Sequence, residues 1–303
     1  MVRGIGSLAA LLCIAPAPLA GWQLTGVQLI RAGRLEQALQ AFEADLAADP
    51  QSASANNGAA VALDLMGRFA EARLYFSAAI KGARAPLERA LAERAMAIGH
   101  GFASDCEEAE KLEKRAFGFY LETHDYPNAG DVADELGRLC LNSGDLDRAA
   151  EWYGRGHDTG LQEPDISASR SDLWDFRLAN ARARIAARRG KFADARKQVG
   201  KAQAILTRGR IPDQQPYLPS LEGYVAFYAR DYGAALQALS RVAAPDPFIE
   251  CLLAQTYEAL GDRARAAEFY RRAAATTAHS VPAAYAQPFA KRKLASWNAG
   301  GPQ

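Results

Sequence analysis

Three arginines of this chain, Arg177, Arg184 and Arg188, stand at i, i+7 and i+11, a spacing that lines side chains along one stripe of a helix. Guanidiniums arrayed in this way hold carboxylates through forked hydrogen bonds. The stripe could therefore clamp a carboxylate-bearing peptide or another anionic polymer. The competing expectation is that it faces an acidic neighbour within the fold and forms ion pairs there. Tyr217, Tyr224 and Tyr228 repeat the same spacing, with Phe227 beside them. Tyrosines are rigid and amphipathic and make good anchors for a bound segment, but an aromatic stripe at helical spacing equally fills space in a core.

Catalytic chemistry has less support. His100, His124, His157 and His279 are scattered, with no HExxH pattern and no cysteine at ligand spacing. His124-Asp125 precedes Pro127 at a helix end, where a histidine interacts favourably with the helix dipole. The glycines between Gly154 and Gly160 end a helix and do not follow a strand, and there is no GxSxG elbow. The expectation is a non-enzyme with no cofactor and no metal. An enzyme built around His100, His124 and the acidic residues near them is the least supported reading.

Composition bounds the partner. Of 303 residues, 49% are hydrophobic and 23% charged, which excludes a disordered chain and leaves material for a core. A formal net charge of +1 gives no argument for nucleic acid or an acidic membrane surface. The balance conceals segregation: acids dominate from Asp105 to Asp165, whereas bases dominate from Arg177 to Arg210 against Asp194 alone. An unidentified protein or peptide, acidic if it meets the arginines, is the expected partner. A small solute or glycan held in the middle of the chain is the alternative.

Residues 1–20 read as a secretory signal: Arg3 precedes an apolar run from Ile5 to Ala15, followed by Pro16, Pro18 and Ala20-Gly21. The run is short for a spanning helix, and the mature chain offers no other candidate. A periplasmic or secreted location follows, with an N-terminal membrane anchor as the alternative. Cys13 lacks the small residues before it that lipid attachment needs. Of the remaining cysteines, Cys140 falls at a core-facing position and reads as a buried thiol. With Cys106 and Cys251 the number is odd, a poor disulfide framework. Export would permit a Cys106–Cys140 bridge, which no spacing supports.

The elements that must position these residues show in a repeated spacing: a small residue, an alanine twelve positions on, and a large apolar residue four beyond. It reads Gly26–Ala38–Phe42, Ala60–Ala72–Phe76, Gly137–Ala149–Tyr153, Gly223–Ala235–Leu239 and Ala254–Ala266–Tyr270. A period of about 34 residues marks a helical solenoid. Between the small residue and the alanine comes a turn glycine, Gly33, Gly67, Gly144, Gly190 or Gly261, where a left-handed cap ends the first helix of a hairpin.

On these residues the chain resembles the tetratricopeptide repeat family, most fully where Trp22, Gly26, Gly33, Ala38, Phe42 and Pro50 keep the family's spacing. The resemblance implies an all-α, right-handed superhelical solenoid of about seven antiparallel hairpins, whose first helices line a concave groove that receives extended peptides. It implies a protein-interaction scaffold, and makes Arg177, Arg184, Arg188, Tyr217, Tyr224 and Tyr228 the candidate groove residues. Clear units are expected at about 19–52, 53–86, 130–163, 216–249 and 247–280. Degenerate ones are expected at 87–129, where Glu113 replaces the aromatic and a Ser104–Glu107 capping box replaces the glycine turn, and at 164–215, where the first helix is lengthened. Thr207 to Pro219 reads as a hinge loop, and 281–303 as a capping helix with a polar outer face, then a tail.

Overall fold

A computed structural model describes residues 24–299; the expected signal segment, Trp22 and the last four residues lie outside the described part. The described residues form fifteen α-helices, one 3-10 turn and no strand, in seven consecutive hairpins and a final helix. The hairpins are α1 (Gly26–Arg31) with α2 (Leu35–Ala48), α3 (Ala53–Met66) with α4 (Phe69–Gly82), α5 (Pro86–Phe102) with α6 (Cys106–Glu122), and α7 (Tyr126–Ser143) with α8 (Leu146–Gly160). Then come α9 (Ala168–Arg188) with α10 (Phe192–Thr207), α11 (Leu218–Tyr228) with α12 (Tyr232–Leu239), and α13 (Pro247–Ala259) with α14 (Arg263–Ala274), followed by α15 (Val281–Ala299).

Packing explains the repeated spacing. A Cβ at Gly26 would lie 2.5 Å from Phe42 Cζ, one at Gly137 would lie 2.9 Å from the Tyr153 ring, and one at Gly223 would lie 2.5 Å from Leu239 Cγ. The large residue of the second helix thus sits directly on the small residue of the first. The intervening alanines, Ala38, Ala72, Ala149, Ala235 and Ala266, are fully buried. The turn glycines all have positive φ, from 72° to 100°. Where the glycine is missing, Ser104 (φ 60°) and Arg230 (φ 61°) take the left-handed conformation instead. The following aspartates, Asp105, Asp145, Asp231 and Asp262, cap the second helix by accepting from the backbone N–H three residues on. The cap of α6 is therefore Asp105 and not the expected Ser104, which is occupied in making the turn.

Three further features differ from expectation. Thr207 to Pro219 is not an open loop: Pro212–Tyr217 forms a 3-10 turn that leads into α11 at Leu218. Tyr217 precedes α11, so it does not share a helical stripe with Tyr224 and Tyr228. Cys140 is not a thiol but is bonded to Cys106, joining the start of α6 to α7, and Cys251 is the buried free cysteine.

The last helix does more than cover α14. It packs on α13 and α14 and also reaches back to α5 and α7. Val281, Ala283 and Ala284 join the core of the early hairpins, whereas Ala286 and Ala290 join that of the last. His279, just before it, bonds through Nε2 to Asp64 Oδ2 of α3 at 3.0 Å, and its ring stacks on Phe102. Lys291 Nζ donates to the carbonyl of Leu65 at 2.8 Å. The early hairpins and the end of the solenoid are thereby tied together.

Candidate functional site

Because the second helices pack outward against small residues, the first helices are left to line the inside of the superhelix. There α5, α7, α9, α11 and α13 enclose a cleft of 980 Å³, closed along one edge by His279 to Pro282. Its walls divide by chemistry. Phe176, Leu221, Tyr224, Phe248 and Val281 form an apolar side, with the half-exposed Tyr217 at the rim. Asp131, Asp134, Glu135 and Asp246, with Arg138, Arg177 and Arg184, supply the charged lining.

The arginine stripe has divided fates. Arg177 is committed to the preceding hairpin: Nη1 meets Asp131 Oδ1 at 2.5 Å and Asp134 Oδ2 at 3.8 Å, and its guanidinium lies over Trp174. Arg188 donates to the carbonyl of Leu141 at 3.0 Å and lies over Tyr228. Both therefore act as ties between hairpins. Arg184 is different. Its Nη2 donates to the Tyr153 hydroxyl at 3.1 Å, its buried Nε has no hydrogen-bond partner, and no carboxylate pairs with it among the described residues.

Facing it is Arg138 of α7, a residue the sequence patterns left unnoticed. Its guanidinium lies 5.0 Å above the Phe248 ring, its buried Nε is also unpartnered, and it too has no carboxylate partner among the described residues. Burial, reinforced by the neighbouring Arg184 and opposed by Asp246, holds Arg138 below the ordinary arginine value. Two like charges side by side in a cleft are unfavourable unless an anion lies between them. The signal for Arg138 was in the chain: it stands six residues before its turn glycine, Gly144, as Arg184 stands six before Gly190.

The tyrosines also separate. Tyr224 is buried and packs on Tyr228 and Phe248, so it shapes the apolar wall as part of the core. Tyr228 sits beneath Arg188. Tyr217, 55% exposed, is the tyrosine free to meet a ligand. The histidines gather into no common site: His157 bonds Asp158 and Asp175, His279 bonds Asp64, and no group of metal-ligating side chains occurs among the described residues. No described helix is long and apolar enough to cross a membrane.

Residues 26–95 and 252–280 match models of the tetratricopeptide repeat. The chain is similar in structure to a tetratricopeptide repeat protein from Parabacteroides merdae ATCC 43184, with 14% identity, a TM-score of 0.52, and 87% of this chain and 96% of that one covered. It is also similar to the apo form of RapI, with 14% identity, a TM-score of 0.55, and 89% and 96% covered. At such identity the likeness is one of fold. No curated protein matches the sequence.

Proposed function

We propose that this chain is a non-catalytic interaction module whose concave cleft holds a carboxylate-bearing segment of a peptide or protein. The tetratricopeptide repeats matched near its two ends support the class of function. The observation that carries the reading is the Arg138–Arg184 pair, two half-buried guanidiniums with unpartnered Nε atoms and no carboxylate at ion-pair distance among the described residues, Asp246 acting on Arg138 only from farther off. A ligand carboxylate between them removes their repulsion and takes forked hydrogen bonds from both, each worth about 1.5–3 kcal/mol when charge-assisted. The apolar wall and Tyr217 then receive the side chains that precede the carboxylate. The Cys106–Cys140 bridge supports an oxidising compartment, in line with export to the periplasm or exterior.

The test is to pan the immobilised full chain against a library of peptides with free C-termini. Peptides rich in acidic residues are expected to be enriched. The double variant Arg138→Gln, Arg184→Gln is expected to lose them, and Tyr217→Ala to weaken them without lowering the melting temperature. No enrichment, or enrichment indifferent to all three positions, would sink the reading. One feature favours a small acid as ligand instead: His279 to Pro282 close one edge of the cleft, giving it the volume of a small-molecule pocket. Stabilisation by small dicarboxylic acids but not by peptides would shift the conclusion to that ligand.

A further inference from the structure

We propose that Asp134 makes the cleft's hold on a carboxylate proton-dependent, tightening it as the surroundings become more acidic. The proposal rests on the reading that Arg138 and Arg184 anchor that carboxylate.

Asp134 stands on α7 one turn before Arg138 and lines the same cleft. It is seated against Gly156 of α8, where a Cβ would come within 2.6 Å of its Oδ1. Its nearest cation, Arg177, is 3.8 Å away and is held closer by Asp131, at 2.5 Å. Asp134 thus shares its ion-pair cation with a carboxylate that stands closer to it.

The charged and titratable groups around it come from three helices. Asp131 and Arg138 lie on α7 itself, Tyr153 and His157 on α8, and Arg177 and Arg184 on α9. Glu135 of α7 also lines the cleft, where Arg94 of α5 bonds it and Glu113 of α6 lies near it, and Asp246, the cap of α13, lines the cleft and acts on Arg138. The lysines of α15 reach Leu65 and Glu258 instead. Burial pushes the Asp134 carboxyl up to about 7; Arg177 opposes the shift and Asp131 adds to it.

Two states follow. Protonated, Asp134 contributes no charge, and an incoming carboxylate meets the guanidiniums with one acid fewer beside them, Asp131, Glu135 and Asp246 being the other acids of the lining. Ionised, it places a negative charge in the cleft that the ligand is to enter, and so competes for the field of Arg184. Ligand and ionised Asp134 are like charges, so binding favours the protonated form and takes up a proton. By linkage, affinity falls as pH rises through neutrality.

The experiment is calorimetric titration of the full chain with N-acetyl-tetraglutamate at about pH 6 and about pH 8, a range in which the probe's own carboxyls stay ionised. Affinity is expected to fall about fivefold at the higher pH, the effect of one pKa unit of coupling over this window. Asp134→Asn, isosteric and never charged, is expected to bind tightly at both values, within about twofold. Asp134→Glu, which can still ionise, is expected to restore a slope. Equal wild-type affinity at both pH values, or an undiminished slope in Asp134→Asn, would overturn the proposal and leave the anchor reading intact. No binding at either pH, or binding untouched in the double variant Arg138→Gln, Arg184→Gln, would overturn the anchor reading and this proposal with it.

Discussion

The third and fourth hairpins place different residues at the same repeat position. Four residues after the buried alanine of its second helix, α8 has Tyr153; at the corresponding place α6 has Glu113. Both side chains are buried. Tyr153 covers Gly137 and accepts from Arg184 at its hydroxyl, so one residue closes the hairpin and supports the cleft. Glu113 lies among Glu93, Glu135, Arg94 and Arg115, three acids with two bases. Arg115 bonds Glu93 at 2.7 Å and Arg94 bonds Glu135 at 2.9 Å. Glu113 is left over, with both oxygens unpartnered. Burial, and then the charge of Glu135, push its carboxyl well above the usual carboxylate range. The repeat position dictates burial, and the residue type determines what that burial costs.

The strongest way to break this contrast is to remove the side that packs well. Tyr153→Ala empties the space over Gly137 and strips Arg184 of its hydroxyl partner. A loss of about 3–5 kcal/mol, as for other large aromatic-to-alanine changes in cores, is expected in chemical denaturation. A loss below about 1 kcal/mol would mean that Tyr153 is not the closing residue of its hairpin.

The same comparison shows how far the sequence could be read. The small–alanine–aromatic spacing announced the hairpins because it records direct contact: Phe42 on Gly26, Tyr153 on Gly137. The left-handed turns were legible wherever glycine supplied them. They were obscure at Ser104 and Arg230, whose types do not demand a positive φ. The arginine stripe was visible, but not which member would be left without an acid. Asp131 pairs with Arg177 and not with Arg184, and that depends on how α9 docks on α7. Arg138 was hidden because its partner in the cleft is on a different hairpin. The return of His279 and Lys291 to Asp64 and Leu65 depends on the curvature of the whole superhelix, which no local pattern encodes.

A smaller effect is expected from the bond that ties the two hairpins together. Cys106 and Cys140 are 34 residues apart, and closing a loop of that length restricts the unfolded chain. Cys106→Ser, Cys140→Ser is expected to lower unfolding free energy by about 3–4 kcal/mol, most of it through the denatured state. Reductant should lower the wild type to the same level and leave the double variant unchanged. Unchanged wild-type stability in reductant would show that packing of α6 on α7 alone sets the strength of this junction.

The last effect sharpens the contrast from its costly side, and its sign is opposite. A carboxyl raised in the folded state binds a proton that the unfolded chain has already released. Folding stability is therefore unaffected by Glu113 below the ordinary glutamate value and declines as pH rises above it. Glu113→Gln keeps the shape and cannot ionise. Near pH 4 the variant should match the wild type, and near pH 8 it should be the more stable of the two, with a flatter pH profile measured by denaturant titration. If the substitution instead destabilised the chain equally at both pH values, Glu113 would be acting through its shape or a hydrogen bond and not through its buried, unpartnered carboxyl.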